Sequence, residues 1–324
     1  MKRIITGIKP TGNGMHVGNY FGAIKPFLEL AMGNEAYLFL PDYHSLTSVH
    51  DRETLKSNKT NLLLELFSFI DESNITIFEQ SQIEKINDIT WILSSVTPYS
   101  LMLKAHSFKD ASQKNHEINM ATFNYPILMT SDIISYDVDI VPVGKDQIQH
   151  VEFARDIAGN FNKTYGVDFF KLPTHYVEEK VATIPGIDGR KMSKSYNNYI
   201  PVFESEKNIK KVIMSIVTDD KPLEAPKDPE TCNVFALIKL FASEERQNEI
   251  RQKYLAGNYG YGHAKLELLE IFLQYFKTPR EKFEKYKANP ELMYNRLEAG
   301  NKIANDIVNK KFAKLKEIIG LKYR

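Results

Sequence analysis

Two stretches of the chain carry residue types suited to phosphate chemistry, and the first is the basic loop GRKMSKSYNN. This loop, residues 189–198, holds three basic groups and two serines behind a glycine hinge. Ammonium groups on a flexible loop can approach an anion as negative charge develops on it, which stabilises a transition state more than a ground state. Taken alone, such a loop is more often a solvated surface segment.

The second stretch is the glycine-rich run TGIKPTGNGMHVGNYFGAI, residues 6–24, which follows a β-prone segment and leads into a helical pattern. Its glycines let the backbone pass close to a ligand, and the helix that follows offers free N–H groups and a partial positive charge. The spacing matches neither G-x-G-x-x-G nor a Walker loop, which disfavours hydride transfer and P-loop chemistry. The pattern alone leaves a nucleotide turn and a structural turn equally open.

Together the two stretches resemble the paired signatures of the class I aminoacyl-tRNA synthetases. The run His16-Val17-Gly18-Asn19 resembles the HIGH signature with Asn in last place, and residues 191–195 are a complete KMSKS motif. The resemblance implies that His16, Asn19, Lys191 and Lys194 are catalytic at the ATP phosphates. It also implies an ATP site made of Lys9, Pro10, Thr11, Gly18, Asn19, Gly144, Lys145, Asp146, Ile184, Lys191, Met192, Ser193, Lys194 and Ser195.

A third stretch narrows the resemblance to the bacterial tryptophanyl-tRNA synthetases. NYPILMTSDIISYDVDIVPVGKDQIQHVE, residues 124–152, is similar to their amino-acid pocket and its crossing into the ATP site. In that resemblance Asp132 accepts the indole N–H, and such a site rejects phenylalanine because the buried carboxylate would stay unpaired. The implied tryptophan site consists of Ile5, Gly7, His44, Tyr125, Met129, Asp132, Val143 and Gln147.

Three other interpretations stay open at this point. The sister family, tyrosyl-tRNA synthetase, shares the architecture, and a tyrosine hydroxyl also donates a hydrogen bond. An inactive helical RNA-binding protein that kept a nucleotide fold belongs to a different class, and the two intact signatures count against it. A ligase of the pantothenate synthetase kind is disfavoured by the long helical carboxyl half. Without the resemblance, Asp132, Asp137 and Asp139 are equally well explained as helix caps and turn formers.

Two features depart from the family pattern. Lys9 stands where many relatives have glutamine, which adds a positive group near the ATP turn. The HIGH-like turn is also longer by a residue, in the run Gly12-Asn13-Gly14-Met15. Both changes lie at or beside the expected ATP contacts Lys9, Pro10 and Thr11.

The order of apolar patterns predicts an α/β fold. Short β-prone runs at residues 3–6, 36–40, 75–78 and 139–143 alternate with helical segments, which favours a parallel sheet covered on both faces. After residue 200 the i, i+3, i+4, i+7 pattern dominates at 209–216, 234–255, 264–276 and 303–319. We therefore expect a Rossmann-like catalytic domain over 1–200 with a smaller all-helical domain. The resemblance makes 201–290 the anticodon-binding domain and returns the helices of 291–324 to the catalytic domain.

Composition and charge indicate an ordinary soluble protein. The apolar share is 43%, the charged share 26% and the net charge +1, and residues 281–324 hold 11 Lys or Arg against 6 Asp or Glu. That local excess of positive charge could bind a polyanion, but it is equally typical of a solvated helix face. The single Cys232, the missing secretory signal and the missing apolar span predict a cytoplasmic protein without a membrane segment. The resemblance implies L-tryptophan, ATP with Mg²⁺ held mainly by its phosphates, tRNA(Trp) and a homodimer as ligands and partners, with no metal-binding residues.

Overall fold

The sheet has five parallel strands in the order β3-β2-β1-β4-β5. The computed structural model describes residues 1–10, 12, 14–70, 74–105, 119–144, 147–177 and 184–322. The strands are β1 Arg3–Gly7, β2 Glu35–Leu40, β3 Ile75–Glu79, β4 Ile140–Pro142 and β5 Thr174–Tyr176. The first four lie within a residue or two of the β-prone runs of the sequence, so the predicted parallel sheet is confirmed.

The direction of chain progression reverses between β1 and β4. From β1 the chain moves outward through β2 and β3, with Gly7 opposite Phe39, and then returns to pair Ile4 with Ile140 on the other side of β1. Such a reversal opens a crevice beyond the carboxyl ends of the two central strands, where open α/β sheets bind their ligands. The fold therefore directs a ligand to the segments that follow Gly7 and Pro142.

Side-chain alternation along the strands builds a core on each face of the sheet. Ile4, Leu38 and Ile77 belong to one buried cluster, whereas their neighbours Ile5 and Phe39 belong to the other. The first cluster continues without a break into the carboxyl-terminal helices, where its members include Ile209, Phe235 and Phe272. The helical region and the sheet thus share one hydrophobic core.

Helices fill the chain between and after the strands. The helix over 17–31 is interrupted by a π-helical segment, Tyr20–Ile24. Side chains cap several helix starts by accepting a backbone N–H, as Asp51 does from Thr54 and Ser243 from Arg246. The α-helices are α1 Val17–Asn19, α2 Lys25–Ala31, α3 Asp42–Ser45, α4 Arg52–Phe69, α5 Ile86–Ser94, α6 Tyr99–Met102, α7 Met120–Ile134, α8 Ile148–Tyr165, α9 Glu206–Met214, α10 Asn233–Phe241, α11 Glu244–Ala256, α12 Tyr261–Tyr275, α13 Lys277–Ala288 and α14 Glu291–Ile318.

The last helix, α14, lies against the edge strand β3. At Gly300 the approach is so close that an added Cβ would lie 1.9 Å from the carbonyl oxygen of Ile77. Asn301 Oδ1 accepts the Glu79 N–H at 2.9 Å, so the helix also satisfies an edge donor of the strand. Within the described ranges, no helix is long and apolar enough to cross a membrane.

Candidate active site

The HIGH-like signature, residues 16–19 at the end of the HIGH-like turn, is held by a reciprocal cap between its first and last residues. Nδ1 of His16 accepts the Asn19 N–H at 3.3 Å, and Oδ1 of Asn19 accepts the His16 N–H at 3.2 Å. Burial and then the nearby Lys194 charge lower the pKa of His16 to about 4. The ring is therefore neutral near pH 7, and because Nδ1 accepts, its proton sits on Nε2 as a donor.

The basic loop lies directly against this turn although 174 positions of chain separate the contacting residues. The Gly18 N–H points at Sδ of Met192 at 3.2 Å. Nζ of Lys194 donates to the carbonyl oxygen of Gly12 at 2.7 Å. Beyond the loop, the Val17 N–H donates to the carbonyl oxygen of Ile200 at 3.0 Å. The fold thus brings the two signature segments into contact.

Asn198 organises the basic loop from within and was missed by the sequence analysis. Its Oδ1 accepts the Ser193 N–H at 2.8 Å, and its Nδ2 donates to Asp188 Oδ1 at 2.7 Å and to the Lys191 carbonyl at 3.1 Å. The hydrogen bond from Asn198, followed by those from Arg190, lowers the pKa of Asp188. Asn198 is 2% exposed, so its amide replaces water for the loop backbone.

The remaining described residues of the predicted ATP site differ in their exposure. Ile184 and Met192 are buried and joined by a backbone hydrogen bond of 2.8 Å. Lys191, Ser195 and Gly144 are exposed, and Pro10 is buried. Thr11, Lys145 and Asp146 lie outside the described residues.

A small cavity of about 140 Å³, hereafter the phosphate-end cavity, lies between the turn, the loop and α4. Lys9 and Lys194 both line it, and burial lowers the pKa of each ammonium. Its polar wall also includes Gly12, the carboxylate of Glu65 and the amides of Asn19, Asn58 and Asn61. Two ammonium groups around a concave space suit an anion.

A second cavity of about 280 Å³, hereafter the aromatic cavity, opens beyond the carboxyl ends of β1 and β4. Lys9 lines both cavities, so the two are neighbours. Tyr125 contributes its ring, and its hydroxyl is 2.9 Å from Nε2 of His150, a lining residue that the sequence analysis missed. The predicted tryptophan residues that line this cavity are Ile5, Gly7, His44, Tyr125, Met129, Val143 and Gln147.

Asp132, the remaining predicted tryptophan residue, does not line the aromatic cavity. Its carboxylate is 4% exposed and lies behind His44, whose Nε2 is 3.0 Å from Oδ2. The Gln80 amide reaches both carboxylate oxygens, at 2.9 and 2.8 Å, and its own oxygen accepts the Tyr43 N–H at 3.0 Å. Burial raises the pKa of Asp132, which these contacts oppose. One acceptor position of Oδ1 is left by this arrangement.

Gln80 was another residue that sequence reasoning did not select. It follows β3 directly, in the 3₁₀ turn Gln80–Gln82. The rule that ligand-contacting groups follow the carboxyl ends of parallel strands could have found it.

Comparison with known proteins decides between the related families. A family model described as tRNA synthetases class I (W and Y) matches residues 1–277 and covers both candidate amino acids. The tryptophan–tRNA ligase of Fusobacterium nucleatum is 48% identical over 322 residues, which are 99% of this chain and 98% of that protein. This chain belongs to the bacterial tryptophanyl-tRNA synthetases of class I.

Solved structures of tryptophanyl-tRNA synthetases agree in fold over the whole chain. The crystal structure of the Campylobacter jejuni enzyme, complexed with ADP and tryptophan, matches with a TM-score of 0.93 and 44% identity and covers 98% of this chain and 99% of that chain. The Mycoplasma pneumoniae enzyme matches with a TM-score of 0.77 and 26% identity, over 99% of this chain and 98% of that one. The membership of the tryptophanyl-tRNA synthetases predicted from the two signatures and the 124–152 stretch is confirmed.

Proposed function

We propose that the protein is a tryptophan–tRNA ligase, which activates L-tryptophan with ATP and transfers it to tRNA(Trp). One observation carries the proposal. The KMSKS-like loop touches the HIGH-like turn through Met192 and Lys194, and the phosphate-end cavity between them adjoins an aromatic cavity through Lys9. A triphosphate and an amino acid bound there would meet at the α-phosphate.

In the first step, tryptophan would occupy the aromatic cavity with its carboxylate toward Lys9. Met129, Val143 and the ring of Tyr125 would pack on the indole, and Gln147 with His44 would bind the amino-acid backbone groups. Because His44 stands in front of Asp132, the indole N–H would take the place of His44 on the Asp132 carboxylate. The charge-assisted hydrogen bond from the indole N–H would then replace the contact with His44, so the buried Asp132 carboxylate keeps its hydrogen-bond partners.

The tryptophan carboxylate would then attack the α-phosphorus in line, and the bond to pyrophosphate would break. His16 would donate from Nε2 to the phosphates, and Asn19, the last residue of α1, would face them from the wall of the phosphate-end cavity. Lys194, with Lys191 from the exposed side of the loop, would stabilise charge on the departing pyrophosphate. Positioning and fixed positive charge supply most of the acceleration in such a displacement.

Mg²⁺ would arrive with the nucleotide. Among the described residues, no three His, Cys, Asp or Glu side chains converge on a metal site. The triphosphate itself supplies the hard oxygen ligands that Mg²⁺ prefers, and bound Mg²⁺ neutralises part of its charge.

The second step would transfer the tryptophanyl group to a terminal ribose hydroxyl of tRNA(Trp), the 2′ group by resemblance to class I. The helices α13 and α14 carry nine of the 11 Lys or Arg residues of 281–324, which supports phosphate contacts and predicts salt-sensitive tRNA affinity. The proposed organisation assigns anticodon recognition to residues 201–290 and a return to the catalytic domain to residues 291–324.

A homodimer is the proposed assembly. Large apolar side chains are exposed on α5, α6 and the start of α7, with Trp91 80%, Tyr99 69% and Met120 68% exposed. A second copy of the chain would cover them. Sedimentation of the wild type as a dimer and of Trp91→Asp as a monomer supports this assembly, and a monomeric wild type contradicts it. A cytoplasmic location stays a prediction from the sequence.

Charging of tRNA tests the proposed function. The purified protein should attach labelled tryptophan to tRNA(Trp) in the presence of ATP and Mg²⁺ and should not attach labelled tyrosine to tRNA(Tyr). Tyrosine charging without tryptophan charging would reassign the amino acid, and the absence of both would overturn the enzyme assignment.

A further inference from the structure

Glu65 is a buried carboxylate that supports the lengthened HIGH-like turn. It lies on α4 with 6% exposure, and both of its oxygens lie 2.9 Å from the Met15 nitrogen, whose N–H they accept. Gly14, at φ +60°, passes so close that an added Cβ would lie 2.8 Å from Oε1. The lengthened turn therefore lies against this carboxylate at Gly14 and Met15.

The same carboxylate faces the place where a triphosphate would bind. It lines the phosphate-end cavity with Lys9 and Lys194, and the other polar side chains there, Asn19, Asn58 and Asn61, are uncharged. Burial lowers the pKa of Lys194, and the Glu65 charge opposes this shift. Burial raises the pKa of Glu65, and the Lys194 charge opposes that shift.

Two neighbouring groups do not neutralise Glu65. Lys59, on the same helix, is bound to Asp42 at 2.6 Å and to Glu79 at 2.8 Å, and His16 on the turn is neutral near pH 7. Lys194 is therefore the cation of the loop to which Glu65 couples. An anionic side chain and an anionic substrate would compete for the same ammonium.

We propose that Glu65 is the counter-charge that holds Lys194 in the phosphate-end cavity of the nucleotide-free protein, and that the triphosphate takes Lys194 over when ATP binds. This inference rests on the proposed ATP site. Glu65 is then a positioning residue, since it acts on the reaction only through Lys194 and the turn. It keeps the basic loop against the turn before ATP arrives, and it does so at some cost in ATP affinity.

The charge of Glu65 gives this role a pH dependence. Burial raises the pKa of Glu65 to about 7, with the Met15 hydrogen bond and Lys194 opposing the rise. Above that pH the ionised carboxylate competes with the triphosphate, and below it the protonated carboxyl does not. Lys9 and Lys194 are the other titratable side chains that line the cavity, and burial lowers the pKa of each.

The test is direct measurement of Mg-ATP binding by calorimetry with wild-type protein, Glu65→Gln and a control on the same helix, Glu53→Gln. The glutamine at 65 keeps an oxygen for the Met15 N–H but removes the charge. Glu65→Gln should bind ATP roughly 3- to 10-fold more tightly than wild type at pH 8, because the Lys194 ammonium no longer has to leave a counter-charge to meet the phosphates. The exposed Glu53→Gln should match the wild type.

The ratio of the ATP affinity of Glu65→Gln to that of the wild type, measured at several pH values, distinguishes the counter-charge role from a structural role. Titration of ATP itself cancels in the ratio, so the advantage of Glu65→Gln should shrink toward unity at pH 6. In a Lys194→Ala background the advantage of Glu65→Gln should also shrink, because the ammonium for which Glu65 and the triphosphate compete is gone. A folded Glu65→Gln protein that binds ATP equally or more weakly at pH 8 overturns the counter-charge. A wild type that does not bind ATP overturns the proposed function instead.

Tryptic cleavage of the basic loop gives a second readout without nucleotide turnover. In the absence of ATP, Glu65→Gln should be cut after Lys191 or Lys194 several-fold faster than wild type, since Lys194 has lost its counter-charge. Addition of Mg-ATP should protect both proteins equally. Equal cleavage of the two nucleotide-free proteins contradicts the proposal.

Discussion

Lys194 donates a hydrogen bond of 2.7 Å to the carbonyl oxygen of Gly12, a residue 182 positions earlier in the chain. The contact joins the second lysine of the KMSKS motif to the turn that precedes the HIGH-like signature. A carbonyl oxygen is a weak partner for an ammonium compared with a phosphate. The bond therefore shows the position of the ammonium in the nucleotide-free protein. A bound triphosphate could replace the Gly12 carbonyl as the acceptor.

Removal of the Gln80 amide should impair tryptophan binding. Gln80→Leu leaves Asp132 with His44 as its partner, so the carboxylate loses the orientation that the amide imposes. We expect the KM for tryptophan to rise by roughly 10-fold or more, since a hydrogen bond to a charged group contributes about 1.5–3 kcal/mol, while the KM for ATP changes little. Tryptophan-dependent exchange kinetics measure both values.

The matched control for that variant is Gln82→Leu, in the same 3₁₀ turn but exposed. It should leave both KM values near those of wild type. An unchanged KM for tryptophan in Gln80→Leu would show that Asp132 is held without the amide.

His16 should make the protein less stable in mild acid. Its folded pKa of about 4 lies below the ordinary histidine value of 6.5, so the unfolded chain takes up a proton first as the pH falls. The stability is present above pH 6.5 and decreases down to about pH 4, by up to about 3 kcal/mol for a shift of this size.

Urea unfolding of wild type and His16→Asn at pH 7 and pH 5 measures that loss. Asparagine can still cap α1 but does not titrate, so the variant should lose less stability between the two values. The exposed His50→Asn is the control and should follow the wild type. Identical pH dependence of wild type and His16→Asn would contradict the buried neutral imidazole.

Asn198→Ala should loosen the basic loop. The substitution leaves the Ser193 N–H and the Lys191 carbonyl without their partner, at about 1–3 kcal/mol for a buried unsatisfied group. We expect a several-fold higher KM for ATP and faster tryptic cleavage within 190–195. The neighbouring exposed Asn197, which holds a left-handed backbone at φ 50°, provides a control as Asn197→Gly, which should leave both measurements near wild type.

Gly300→Ala should destabilise the protein through the contact of α14 with β3. The added methyl group would meet the Ile77 carbonyl at 1.9 Å, so the helix must move away from the strand. Overpacking of this kind costs roughly 1–3 kcal/mol or more. Gly262→Ala, in α12 with no atom within 4 Å of the new methyl group, should instead be neutral or slightly stabilising. Thermal unfolding compares the two, and equal melting temperatures would contradict the close packing.

The sheet was predictable because its strands are short apolar runs that end in Gly, Pro or Asp, as β1 does at Gly7. The helical pattern of 234–255 was predicted as a single segment, but Ser243 caps a new helix and divides it into α10 and α11. The edge strand β5, Thr174–Tyr176, was missed because its three residues are all exposed and carry no apolar alternation.

The candidate site was predictable where a local motif marks it. His16 and Lys194 stand in recognisable runs, and the fold brings those runs together as the shared nucleotide role implied. Gln80, Glu65 and Asn198 stand in no motif, because each acts through a partner far away in sequence or through the backbone of its own loop. Asp132 was selected by its residue type and stays a predicted tryptophan contact. In the structure it lies behind His44, where its buried carboxylate accepts hydrogen bonds from protein groups.

The most direct test of the central claim is tryptophan-dependent ATP–pyrophosphate exchange by Lys194→Ala, compared with the wild type and with the exposed Lys207→Ala on α9. If the Lys194 ammonium stabilises the departing pyrophosphate, the exchange rate should fall by roughly 10²- to 10³-fold while the dissociation constant for tryptophan and the melting temperature stay near wild type. Exchange at the wild-type rate by folded Lys194→Ala would contradict the account.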